Sequence, residues 1–117
     1  MKNKVETGDV FLSHNKYMNP PKMKYHLCIN EKMYFLINTK PHFFNCIITP
    51  EDCSLLEYDS YIDCGTMRTE PTKEFKVIKK EQLSKKGIKN LIEKVEICPT
   101  LTKIQKEIVL SDLNKCL

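Results

Sequence analysis

Two short apolar runs, Met23 to Ile29 and Met33 to Ile37, stand on either side of the polar stretch Asn30-Glu31-Lys32. Both are rich in β-branched and aromatic side chains, and a connection this short joins two strands only as a hairpin. The pair therefore predicts antiparallel neighbours and constrains whatever is built around them. Asp9 to Leu12, after Gly8, reads as an earlier strand, and Phe43 to Ile48 and Ser60 to Cys64 as later ones, with a weaker one at Glu74 to Ile78. Ser13 to Lys22 contains Asn19-Pro20-Pro21 and is expected to be a long loop. Thr49-Pro50-Glu51-Asp52 has the chemistry of a helix start, so a short helix through Leu56 is expected. Short strands at this spacing suggest a small antiparallel barrel closed on itself.

The chain changes character near residue 80. Ser84 can cap a helix that carries Ile88, Leu91, Ile92 and Val95 as one apolar stripe, and Cys98-Pro99 ends it. Thr102 and Gln105 have the spacing of a capping box, opening a second helix with Ile104, Ile108 and Val109 inward. Lys85, Lys86, Lys89, Lys94, Lys103 and Lys106 populate the other faces, where lysine solvates a surface or meets nucleic acid. At 117 residues there is room for one core. The expectation is a single domain over residues 1–117, mainly β with C-terminal helices: a β-barrel over residues 1–80 and helices over residues 81–117.

A formal net charge of +4 is compatible with a polyanionic ligand but too mild to imply one. Six cysteines include no Cys-x-x-Cys pair; Cys28, Cys46 and Cys64 lie inside apolar runs, where a thiol acts as a small hydrophobe. They are read as reduced, mostly buried thiols, with no metal and no cofactor expected. No apolar run approaches membrane-spanning length, and Met1 to Lys4 leads into no signal-peptide core, so a cytoplasmic protein with no membrane contact is expected.

Arg68 is the only arginine among 19 basic residues. A guanidinium stays charged and grips a phosphate or carboxylate through two parallel hydrogen bonds, which an ammonium cannot do. A surface ion pair is the competing use.

Gly8-Asp9-Val10-Phe11 resembles the Arg-Gly-Asp/Glu-Val/Ile-Trp strand that opens the MazF/PemK toxin family. Lys24 to Ile29 occupies the place of that family's Arg-Pro-Val-Leu-Ile-Val strand. Ile47-Ile48-Thr49 is similar to the strand ending in a catalytic hydroxyl, and Ser60 to Thr69 to the strand running into Gln-x-Arg-Thr. The likeness spans most of residues 6 to 98, and only the Gly-Asp-Val and Arg-Thr elements match in letters.

The resemblance implies an SH3-like barrel, a homodimer, a cognate antitoxin protein and metal-independent cleavage of single-stranded RNA. A base takes the ribose 2′-OH proton, cations stabilise the phosphorane, and an acid protonates the 5′-oxygen. Arg68 and Lys24 would hold the phosphate, Thr49 would donate to it, and Asp63 or His26 would move protons. Thr49 also has the simpler reading of a helix cap, and His26 that of a structural histidine. One branch of the family has Arg-x-Asp in the late strand; here those positions are Asp63 and Gly65, so the carboxylate stands two residues earlier, on the same strand face. RNA-binding positions carried over are His14, Lys16, Lys22, Tyr25 and Thr69.

The competing function is an inactive barrel of the same type that binds a partner protein or nucleic acid, for example in phage defence or anti-defence. Tyr17, Tyr25, Tyr34, Phe43 and Phe44 would supply its stacking surfaces.

Overall fold

The computed structural model describes residues 4–117; the expectation about the first residues of the chain falls largely on Met1 to Asn3, outside that range. Among the described residues six strands are formed: β1 (Asp9–Asn15), β2 (Lys22–Asn30), β3 (Met33–Asn38), β4 (Cys46–Ile48), β5 (Ser60–Ile62) and β6 (Lys79–Gln82). They make one antiparallel sheet in the order β4-β5-β3-β2-β1-β6, followed by α1 (Lys85–Glu96) and α2 (Lys103–Asn114). The hairpin is present, with Tyr25 opposite Ile37 and Leu27 opposite Phe35.

Side chains alternate between two cores, as strand geometry requires. On one face, Val10, Leu27, Ile29, Phe35, Ile37 and Ile62 pack against Ile88, Leu91, Val95, Val109 and Leu113 of the helices. On the other, Phe11, Cys28, Tyr34 and Leu36 pack with Phe75 from the segment that precedes β6. Both helices carry the caps the sequence announces: Ser84 Oγ accepts from Gly87 N–H, and Thr102 and Gln105 form the reciprocal box.

The sheet does not close into a barrel. Its edges, β4 and β6, are only three and four residues long and are not paired to each other. The segment 49–56 bridges them instead. Ser54 N–H donates to Glu81 in β6 at 2.9 Å, and the Tyr25 hydroxyl donates to Leu55 O at 3.1 Å. Those anchors hold the segment as turns, so the short helix expected there is absent; two separate turns form, one with the Asp52 and Cys53 N–H groups on Thr49 O and one with the Leu56 N–H on Cys53 O. Too few hydrogen bonds would reward a nucleus that short.

Other boundaries also shift. β1 runs on to Asn15, which shortens the expected loop and places His14 in a strand. β4 begins only at Cys46, and β5 ends at Ile62. Residues 72–74 form a 3₁₀ turn, and the last strand lies at Lys79–Gln82 rather than Glu74 to Ile78. Ile104, expected to face inward, is 68% exposed, while Val109 is buried. Cys28, Cys46 and Cys64 are buried free thiols. Among the described residues, no helix is long and apolar enough to cross a membrane.

Candidate functional site

After β5 the chain continues beside β3. Asp63 N–H donates to Leu36 O at 2.8 Å, and Arg68 and Tyr34 exchange two backbone hydrogen bonds of 3.1 and 3.0 Å. With Tyr61 opposite Asn38, the residues Tyr61, Asp63 and Arg68 form a column alongside Asn38, Leu36 and Tyr34. Directly opposed residues of an antiparallel pair share a face. The column therefore lies on the face turned away from the helices.

Asp63 is the chemical centre of this column. Burial pushes its carboxyl above the ordinary carboxylate value, against the opposing pull of His42, the Gly65 N–H and Arg68. A half-buried carboxyl with Arg68 and His42 in Coulombic reach can hold a proton or give one up. His42, on the exposed loop after β3, went unremarked in the sequence. Its only signal there was a histidine next to Pro41 in a polar connection.

Tyr34 fixes the upper end. Its hydroxyl donates to Glu70 and accepts from Asn15 Nδ2 at 3.1 Å. Burial first, and the Glu70 bond second, push the phenol well up. At the lower end, Lys24 Nζ donates to Asn38 Oδ1 at 2.6 Å. Burial and the neighbouring Lys22 charge lower the Lys24 ammonium. Lys24 and Arg68 stand four residues apart along β3, about 13 Å, so they would meet different phosphates of one strand.

His26 belongs to the core. It is fully buried, stacked on Phe11 at 4.7 Å and flanked by Tyr34 and Phe75. Asn15 Nδ2 lies 3.2 Å from Nε2, and since an amide nitrogen only donates, Nε2 accepts and Nδ1–H faces Phe11 O at 3.4 Å. Burial drives its pKa down to about 4, with the Lys24 charge adding to the shift. It reaches no open groove and is placed as a structural residue.

Thr49 is also elsewhere. Its hydroxyl donates to Asp52 Oδ2 at 3.3 Å, and Asp52 Oδ1 accepts from the α1 cap Ser84 at 3.0 Å. That turn sits over the helix-bearing core, with Cys53 and Leu56 inside it. A groove shared by Thr49, Lys24 and Arg68 therefore does not form within one protomer.

The expected RNA-binding residues scatter. Lys22 stands beside Lys24 on the face of the column, and Thr69 is exposed just past Arg68. Tyr25 points to the opposite face, tied to Leu55 with Lys79 over its ring at 6.0 Å. His14 and Lys16 line a separate cavity of about 240 Å³ with Glu74, Phe75 and Lys76. Among the described residues, no group of three or more His, Cys, Asp or Glu side chains is placed to hold a metal ion.

No family model matches the chain, and no curated protein matches it.

Proposed function

We propose that the protein is a metal-independent endoribonuclease of the MazF/PemK toxin type, acting on single-stranded RNA at the Arg68–Asp63–His42 face. The open six-stranded sheet is read as an SH3-like barrel whose edges have parted, with the bridging segment in the gap. The observation that carries the reading is the column that sets Asp63 and Arg68 on one face, with Asp63 raised by burial and His42 and Arg68 within Coulombic reach of it. Arg68 grips the scissile phosphate with its fork and stabilises the phosphorane. His42 takes the proton of the ribose 2′-OH as its oxygen attacks phosphorus. Asp63 gives its proton to the departing 5′-oxygen, leaving a 2′,3′-cyclic phosphate and a 5′-hydroxyl. Lys24 and Lys22 hold the neighbouring backbone. A cognate antitoxin would cover this face, and a homodimer would double it.

The test is single-turnover cleavage of a long single-stranded RNA with chelator present. Cyclic-phosphate products that depend on Arg68, Asp63 and His42 support the reading. A pure protein that never cuts, under any substrate sequence tried, ends it.

A further inference from the structure

On the face turned away from the helices, register places five side chains in one row across the sheet. Ile47 stands opposite Tyr61, Tyr61 opposite Asn38, and Ser13 opposite Lys24; the β2–β3 register aligns Asn38 with Lys24. Ile47 is 57% exposed, and Tyr61, Asn38 and Lys24 are each half-buried, so one end of the row is open to a ligand. Tyr61 was not among the residues the sequence singled out.

We propose that this row is a subsite for one nucleobase of a single-stranded RNA, with Tyr61 as the stacking platform and Asn38 as the group that reads the base. The inference extends the ribonuclease reading and shares its face, but it concerns recognition and stands or falls separately.

Three observations select this occupant. Tyr61 lies between Ile47 and Asn38, so its ring has an apolar flank on one side and a polar one on the other. A base stacked there meets a hydrogen-bonding group at its edge. The Asn38 amide is oriented, because Lys24 donates to its Oδ1 at 2.6 Å and the two N–H bonds of Nδ2 remain for a ligand. Placed at position 4 of a pyrimidine, this donor pair accepts uracil, whose O4 is an acceptor, over cytosine, whose N4 amino group is a donor. The charge around the row is complementary to a phosphodiester: Lys22 and Lys24 lie on one side and Arg68 at the far end of the column. Of the nearby acids, Asp63 is raised above the ordinary carboxylate value by burial and Glu70 is engaged by the Tyr34 hydroxyl.

The experiment uses the full chain and short 2′-deoxy homopolymers of uracil and of cytosine, which carry no 2′-OH and cannot be cleaved by the proposed route. Binding of the uracil probe should quench tyrosine fluorescence, and Tyr61→Phe should remove much of that quenching while retaining affinity. Tyr61→Ala should weaken binding roughly five- to hundredfold. Asn38→Ala should abolish the preference for uracil over cytosine. Unchanged quenching in Tyr61→Phe overturns the proposal, and this readout does not depend on whether the alanine variant folds. Failure of the wild-type protein to bind either probe also overturns it, and would leave the row as a protein-facing surface. Wild-type protein that binds the uracil probe as described but never cuts RNA keeps this subsite and ends the ribonuclease reading. RNA cleavage at full rate and affinity by a folded Tyr61→Ala variant does the reverse.

Discussion

Arg68, which belongs to no regular strand, is joined to Tyr34 of β3 by a reciprocal pair of backbone hydrogen bonds, while the Tyr34 hydroxyl reaches Glu70 two residues further on. The segment that carries the lone arginine is thus held at its backbone and again at a side chain by one core residue. Tyr34 is fully buried, so the segment that bears the guanidinium is mounted on the core of the sheet.

Tyr34→Phe removes the hydroxyl and leaves Asn15 with an unused donor. The loss should cost about 1–3 kcal/mol, the usual penalty for stranding a buried polar partner. Urea unfolding should show a lower midpoint with an unchanged slope. If the ribonuclease reading holds, cleavage should fall as well, because the 68–70 segment loses one of its two anchors.

Arg68→Lys should damage cleavage nearly as much as Arg68→Ala. Positive charge is abundant in this chain, whereas the bidentate fork occurs once. Loss of one contact to the phosphorane costs roughly 2.7–4 kcal/mol, a hundred- to thousandfold in rate. Single-turnover kinetics of the two variants decides the matter; a lysine variant at wild-type rate would show that charge alone suffices.

Asp63→Asn should slow cleavage while leaving affinity for a 2′-deoxy RNA analogue intact. In the proposed role Asp63 acts while protonated, so activity falls as pH rises through its pKa. Burial shifts that limb of the rate profile above the position of an ordinary carboxyl. The asparagine variant should lose the limb.

Stability should fall on acidification because of His26. Its pKa is about 4 in the folded protein, against about 6.5 when unfolded. The unfolded state therefore binds more proton between these values. The contribution is fully present above about pH 6.5 and is lost as pH falls toward 4, about 3 kcal/mol in all. Asp9 and Asp63, both raised by burial, act in the opposite sense, so the quantity to measure is a difference. Urea melts at several pH values on wild-type protein and His26→Phe should diverge across that interval and run parallel above it.

Thr49→Ala should leave the cleavage rate unchanged and lower stability by about 0.5–1.5 kcal/mol, the net worth of a typical hydrogen bond. Parallel rate and melting measurements distinguish this from a catalytic threonine, which would show the opposite pattern.

The hairpin and both helices were legible in the sequence because their determinants are local. An apolar stripe, a Ser84 cap and a Thr102–Gln105 box each lie within a few residues of what they control. Closure of the sheet was not, since it depends on whether two edge strands meet. The place of His26 was hidden for a similar reason: its neighbours Phe11, Tyr34 and Phe75 come from three distant parts of the chain. The column was obscured by parity. Asp63 and Arg68 are five residues apart, which in an unbroken strand puts them on opposite faces. The irregular stretch after β5, where Cys64 N–H turns back to Ile62 O, restores Arg68 to the same side. Among the other expected site residues, Lys24, Lys22 and the buried His26 lie near that column, with Thr69 at the margin.

The sheet order also sets a timetable for a chain leaving the ribosome. β1 is made first, but its outer partner β6 follows about seventy residues later, on the order of 4–14 s at ordinary synthesis speeds. Until then one side of β1 has no neighbour, while the backbone pairings of β2, β3 and the column beside Tyr34 all lie within residues 22–70. The strands of the face proposed to touch RNA are thus synthesised before Phe75 and the helices that bury them. A nascent chain would carry the strands of the proposed RNA face before it carries their support.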